Sequence, residues 1–183
     1  MDWSSFVPTL LATFAGVILS IGLSLLVRSL VNKYKAKGQR ATTKDILSRE
    51  IADNLGTLKS VRTGANMVIN GSSHIQTWCS PAATLHIPAY ESAFQRGDIH
   101  RLGDSTLEKA LFNYASGCKI FNYEMRWIEE LVKEKHGSGL VPLEIAKALV
   151  QPRLPVLDEL IDQSWKLLRM MNEDLAESDT PSG

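Results

Sequence analysis

An uncharged apolar run of 22 residues, Phe6 to Val27, lies near the amino terminus and dominates the pattern of the chain. At about 1.5 Å per helical residue it would span roughly 33 Å, enough to cross a hydrocarbon core of about 30 Å. Six basic residues follow the run before the next acid, Asp45, whereas Asp2 is the only charged side chain before it. This order is the reverse of a cleavable secretory signal, and the positive-inside rule then predicts an uncleaved span with its amino terminus outside.

The sequence therefore predicts a single-pass protein of the plasma or inner membrane, with its larger part in the cytoplasm. The predicted segments are a short outer terminus at 1–5, a transmembrane helix at 6–27, a basic juxtamembrane stretch at 28–44, a cytoplasmic helical domain at 45–176 and a disordered tail at 177–183. The basic stretch sets the orientation and would also attract anionic membrane lipid, at about 1 kcal/mol per basic residue. Its members are Arg28, Lys33, Lys35, Lys37, Arg40 and Lys44.

Small side chains recur every four residues within the apolar run. They are Ala12, Gly16, Ser20 and Ser24. Such a stripe lets two transmembrane helices approach closely, so it predicts pairing with a second copy or with another membrane protein. Small residues are also common in membrane spans, and a chance alignment accounts for the stripe equally well.

Beyond residue 44 the chain is mildly acidic, with 14 basic and 19 acidic residues. A nucleic-acid binder needs a basic face to neutralise phosphates, and no basic cluster beyond the one at 28–44 supplies it, so we expect no nucleic-acid partner. The two cysteines, Cys79 and Cys118, are too few for a disulfide framework and are predicted to be free thiols. The length from 45 to 176 suits one domain.

Apolar residues return at three- and four-residue steps in three long segments, which is the period of amphipathic helices. The first lies between about 42 and 69, stops at Asn70-Gly71, and carries Leu47, Ile51, Leu55, Leu58, Ala65 and Ile69. The second begins at a Ser105/Glu108 capping box, closes at His136-Gly137, and carries Leu107, Leu111, Tyr114, Cys118, Phe121, Met125, Ile128 and Val132. The third carries Val156, Leu160, Trp165, Leu168, Met171 and Leu175.

The predicted fold class is all-α, with the transmembrane helix followed by a bundle of about three long and two short helices. Pro88 starts one short helix that ends at Gly97, and Pro142 opens the other. A coiled-coil dimer is the alternative for the second long helix. Its mixed seam of tyrosine, cysteine, phenylalanine and methionine suits the interior of a bundle better.

Residues 71–103 interrupt apolar clusters with serine, proline and glycine, and we expect this stretch to lie across the bundle. From here to the second long helix runs the pattern Ala89-Tyr90-Glu91-Ser92, Gly97-Asp98-Ile99, Leu102, Leu107, Leu111 and Tyr114. This pattern of 26 residues resembles small membrane-anchored helical proteins of prokaryotes that have no assigned activity. The resemblance implies a tethered helical protein of that kind and implies no site residues.

Histidine and cysteine, which can bind metals or take part in catalysis, occur close together in residues 74–86. His74, Cys79 and His86 are zinc ligands by type, with Asp98 or His100 as a fourth, but their spacing matches no common zinc site. A reactive Cys79 would need an exposed, electropositive setting, whereas a buried cysteine is the commoner outcome. The glycines form no phosphate-binding loop. We therefore predict no catalytic residue, no metal ligand and no cofactor.

The function predicted is non-enzymatic protein–protein association by a membrane-anchored scaffold or accessory subunit. Trp78, Trp127 and Trp165 are candidate core anchors, and any of them that proves exposed would mark a partner surface. A possible cytoplasmic contact surface comprises His74, Ile75, Trp78, Leu85 and Ile87. The alternative is a membrane-tethered enzyme or metal-dependent sensor that uses the Cys79/His86 region.

Overall fold

A computed structural model describes the backbone of residues 3–79, 83–137 and 139–178, and the side chains of residues 23–79, 83–137 and 139–172. Its helices, numbered in chain order, are α1 (Trp3–Ile69), α2 (Ile75–Trp78), α3 (Pro88–Gln95), α4 (Ser105–His136), α5 (Leu143–Val150) and α6 (Leu154–Ser178). Short 3₁₀ turns lie at His100–Leu102 and Gln151–Arg153. No strand occurs among these described residues, so the predicted all-α class is confirmed.

The chain divides into two compact units, Met1–Ala41 and Thr42–Gly183. Within the first unit, every described side chain from Leu23 to Ala41 is exposed. The second unit holds the hydrophobic core, to which all the helices from α2 onward contribute together with the carboxyl-terminal part of α1. The predicted helical bundle is therefore confirmed.

The predicted single-pass membrane localisation requires correction. Across the part of the chain that the structure describes, no helix combines the length and the apolar character needed to cross a membrane. Of the predicted span, residues 6–22 lie outside the described side chains, and Leu23–Val27 are exposed. The predicted single-pass localisation is therefore not supported by the structure.

The core face of α4 follows the sequence pattern without a break. All eight predicted positions, Leu107 to Val132, are buried, and α4 packs against α6. Gly117 permits this close packing, because a Cβ atom at that position would lie 2.8 Å from Leu160 Cδ2. The coiled-coil alternative is thus unnecessary for the seam, since the interior of the same chain covers it.

The amino-terminal cap of α4 is Asp104, one residue before the predicted capping box. Its carboxylate accepts hydrogen bonds from the backbone N–H groups of Thr106 at 2.8 Å and Leu107 at 3.1 Å. At the other end, Gly137 adopts a φ of 55° and donates its N–H to the Lys133 carbonyl at 2.9 Å. The positive φ explains why glycine stands there.

The core face of α6 differs from the predicted one at its largest residue. The structure buries Leu157, Leu160, Ser164, Leu167 and Met171, whereas Trp165 points outward. Ser164 can lie in the core because its hydroxyl donates to the Leu160 carbonyl one turn back, at 2.8 Å. The predicted positions Leu160 and Met171 are buried and Val156 and Leu168 pack against the core, so the prediction was wrong at Trp165 and overlooked the small polar Ser164. Leu175 lies outside the described side chains, and most of the predicted tail, 179–183, lies outside the described backbone.

Candidate interaction surface

Two sets of predicted site residues fall in the amino-terminal unit. Of the small-residue stripe, Ala12, Gly16 and Ser20 lie outside the described side chains, and Ser24 is exposed on α1. Five of the six basic residues, from Arg28 to Arg40, are exposed on the same helix. The sixth, Lys44, belongs to the second unit and is only 8% exposed.

The predicted cytoplasmic contact surface is instead part of the core. His74 is exposed, but Ile75, Trp78, Leu85 and Ile87 are buried. Trp78 packs against α1, where its Nε1 donates to the Val61 carbonyl at 2.9 Å. The absence of a side chain at Gly64 makes room for this ring, since a Cβ atom there would lie 3.2 Å from Trp78 Cδ1. These four apolar residues therefore stabilise the fold and offer no surface to a partner.

Two asparagines hold the uncoiled segment 84–87 across the bundle. Asn54 on α1 donates to the His86 carbonyl at 2.6 Å and accepts from the His86 N–H at 2.8 Å. Asn122 on α4 makes the same pair of bonds to Leu85, both at 2.8 Å. Together they satisfy backbone groups that no helix or strand satisfies.

Glu50 completes this arrangement at the start of α3. Its carboxylate accepts the N–H groups of Ala89 at 2.6 Å and Tyr90 at 3.1 Å. Burial raises the pKa of Glu50, although the two backbone hydrogen bonds partly offset that effect. The segment predicted to lie across the bundle thus does so through polar side chains that each bond to the backbone.

The chemistry-bearing residues form no recognisable catalytic or metal centre in the described structure. No three of the described histidine, cysteine and acidic side chains come together as metal ligands. Both cysteines are buried, and burial raises the pKa of Cys79 and raises that of Cys118 to about 12. A thiol with a raised pKa carries little thiolate near neutral pH, so neither cysteine has the properties of a nucleophile.

A surface groove lies beside α1 and is lined mainly by small and weakly polar residues. Its wall includes Gly56, Ser60, Gly64 and Trp78, and Lys59 is the only charged residue that lines it among the described residues. A binding site for a small polar ligand usually has several polar groups that converge on one point. The described wall of this groove shows no such convergence, and we assign it no ligand.

The sequence prediction overlooked the outward side of α4. Four large apolar side chains stand there in a row, directly opposite the buried seam, and we call them the α4 outer face. They are Phe112 (54% exposed), Ile120 (59%), Tyr123 (73%) and Trp127 (43%). At 100° per residue they fall within an arc of about 80° on the helix. One helix therefore presents apolar side chains on two opposite sides, and the fold covers only one of them.

Other side chains flank both ends of the α4 outer face. At one end, Phe112 and the half-exposed Phe94 line the same shallow hollow, and Phe94 stacks on Tyr90 at 6.0 Å between ring centres. At the other end, the Arg153 guanidinium lies 5.8 Å from the centre of the Trp127 ring and 3.4 Å from the Glu124 carboxylate. The guanidinium restricts the Trp127 ring, which therefore loses little conformational freedom when a partner covers it.

The sequence carries a signal for this face. Phe112, Ile120, Tyr123 and Trp127 share a helical period with one another but not with the core seam. Trp127 was predicted as a core anchor, and its exposure meets the stated criterion for a partner surface. Trp165 is also 43% exposed and meets the same criterion, but it is the only exposed large apolar side chain among the described residues of α6.

Comparisons with known proteins give no match. No family model, no curated protein and no solved structure matches it. The resemblance to small anchored prokaryotic proteins therefore stays a prediction, and the argument for a function depends on the surface itself.

Proposed function

We propose that this protein acts by binding another protein chain through the α4 outer face. The observation that supports the proposal is the row of four exposed apolar side chains on a helix whose opposite side is fully buried. Isolated apolar residues are common on surfaces, but several that share one exposed helix face are typical of an interaction site. We assign the protein no enzymatic activity, and the enzyme or sensor that would use Cys79 and His86 gains no support from two buried thiols.

The composition of the α4 outer face agrees with an interface more than with a solvated helix surface. Three of its four residues are aromatic, and aromatic residues are enriched where proteins bind one another. Burying apolar area contributes about 25 cal/mol per Å², so covering roughly 400 Å² on one chain would contribute about 10 kcal/mol before the entropy of association opposes it. A scaffold or accessory subunit needs no more than such a surface.

Site-specific photo-crosslinking in cells tests the proposal. A photoreactive phenylalanine analogue at Tyr123 of the full chain should give a covalent product with a protein, and the same analogue at Lys166 on α6 is the matched exposed control. We expect a strong product from position 123, a product from position 120, and little from position 166. Equal yields at 123 and 166, or no product at 120 and 123, would contradict the proposal.

A further inference from the structure

We propose that the partner is a second copy of this chain, with the two α4 helices antiparallel and their outer faces in contact. This inference rests on the proposed function and names its partner. It follows from the order of residues along the helix, which is self-complementary about a point midway between Lys119 and Ile120. A two-fold axis through that point pairs the two copies symmetrically. A residue that precedes the point in one copy lies opposite the residue that follows it by the same number of positions in the other copy.

The apolar and small residues match across this axis. Phe112 of one copy lies opposite Trp127 of the other, and because the axis is two-fold, this aromatic pair occurs twice. Ser116 lies opposite Tyr123, so the most exposed ring of the face meets one of its smallest side chains. Large residues opposite small ones allow two helices to interdigitate. Ile120 lies beside the axis, opposite Lys119 of the other copy and close to the Ile120 of that copy.

The charges match as well. Lys109 stands one turn before Phe112, and Glu130 stands one turn after Trp127, on the same side of α4. Both are exposed, and neither makes an ion pair within the described residues. The axis places each Lys109 opposite the Glu130 of the second copy. A parallel arrangement would instead place lysine near lysine and glutamate near glutamate, which disfavours it.

The remaining charge near the axis is neutralised within each chain. Lys119 would approach its own copy there, but its ammonium already pairs with the Glu91 carboxylate at 2.9 Å. In an antiparallel pair, the positive amino-terminal end of each helix dipole also lies beside the negative carboxyl-terminal end of the other, which is favourable. The electrostatic arrangement therefore favours one orientation of the pair over the other.

The size of the face indicates a modest affinity. Lys109 and Glu130 are about 32 Å apart along the helix, and the four apolar side chains expose roughly 100 Å² each. Together they supply about half of the roughly 800 Å² that each partner buries in a standard interface, and the flanking polar side chains add to it. We expect a dimer that forms at micromolar concentration and not a permanent one.

Charge exchange in the full chain tests the arrangement, with sedimentation velocity over a range of concentrations as the readout. The wild type should show a concentration-dependent monomer–dimer equilibrium. Lys109→Glu and Glu130→Lys should each weaken it about tenfold, because each creates two repulsive pairs per dimer. The double variant should return to within about twofold of wild type. Association through any other part of the chain would not respond in this reciprocal way.

Engineered cysteines test the register. A mixture of Ser116→Cys and Tyr123→Cys chains, oxidised with glutathione disulfide, should form a mixed disulfide dimer faster than either variant alone. The native cysteines are buried and provide a low background. Preferential dimers of Ser116→Cys with itself, a wild type that stays monomeric at several hundred micromolar, or a double charge variant as weak as the single ones would overturn the inference. If the chain is monomeric while position 123 crosslinks a different protein, the inference fails and the proposed function stands.

Discussion

Removing the side-chain amide of the buried Asn54 should destabilise the bundle strongly, although it alters only one uncharged residue. Asn54 is 2% exposed and exchanges two hydrogen bonds with the backbone of His86. In Asn54→Ala both bonds are lost, at about 1 kcal/mol each, and a backbone donor and acceptor are left poorly satisfied at about 1 kcal/mol or more. We expect a loss of about 2–4 kcal/mol in the free energy of unfolding.

Urea denaturation followed by far-UV circular dichroism measures this loss, and thermal denaturation should show a fall in Tm of about 6–12 °C. Asn113→Ala is the matched control, because Asn113 is an exposed asparagine on α4 whose replacement should cost less than about 0.5 kcal/mol. An Asn54→Ala chain as stable as that control would refute the idea that these bonds hold the crossing segment.

Asn122, which makes the second pair of hydrogen bonds to the crossing segment, allows a second test of the same reasoning. Asn122→Ala should destabilise somewhat less than Asn54→Ala, because Asn122 is partly exposed and water can replace some of its bonds. Both asparagines bind the same short segment, at Leu85 and His86. The double variant should therefore lose less than the sum of the two single losses. Strict additivity would show that the segment does not detach as a unit.

Three further predictions follow from local geometry. Gly56→Ala should stabilise the fold by about 0.5–1 kcal/mol, since nothing lies within 4 Å of the new Cβ. Gly117→Ala should destabilise it, because the new Cβ would clash with Leu160. Urea titration should therefore show changes of opposite sign in the free energy of unfolding of the two variants. Asp104→Ala should cost about 1 kcal/mol by removing the cap of α4, measured in the same way. At pH 8 the Cys118 thiol, with a pKa of about 12, should react with a maleimide orders of magnitude more slowly than in urea, and rapid native labelling would contradict its burial.

The sequence alone was sufficient for the parts of the fold that depend on a single helix. The seam of α4 could be predicted residue by residue because its apolar side chains keep the helical period for eight positions. The stop of α1 at Gly71, with a φ of 72°, followed from the need for a left-handed residue. Pro88 likewise marked the start of α3 correctly.

The errors arose where polar side chains lie in the core or hold a backbone segment against it. Ser164 lies in the core because its hydroxyl donates to the Leu160 carbonyl of its own helix, and the next residue, Trp165, is therefore exposed. The segment was predicted to lie across the bundle, but four of its apolar residues were also predicted as a contact surface, and nothing local reveals that Asn54 and Asn122 bind its backbone. Such pairings join residues more than thirty positions apart, and a single sequence does not display them.

The candidate surface lay within reach of sequence analysis but was masked by the stronger seam on the same helix. A second set of apolar positions, opposite the first, is unusual for a helix that packs on one side only. Reading both periods together would have separated Trp127 from the core residues. Its partner cannot be read from periodicity, because the match between Lys109 and Glu130 becomes meaningful only when both are known to be exposed.

Hydroxyl-radical footprinting tests the central claim most directly, because Trp127 and Trp165 are equally exposed in the isolated chain, at 43% each. The full-length protein would be labelled as it exists in gently lysed cells and again after purification and dilution, with oxidation read by mass spectrometry. The account predicts that Trp127 and Tyr123 lose most of their reactivity in the cellular state while Trp165 keeps its own. Unchanged oxidation of Trp127 and Tyr123 in the two states would contradict it.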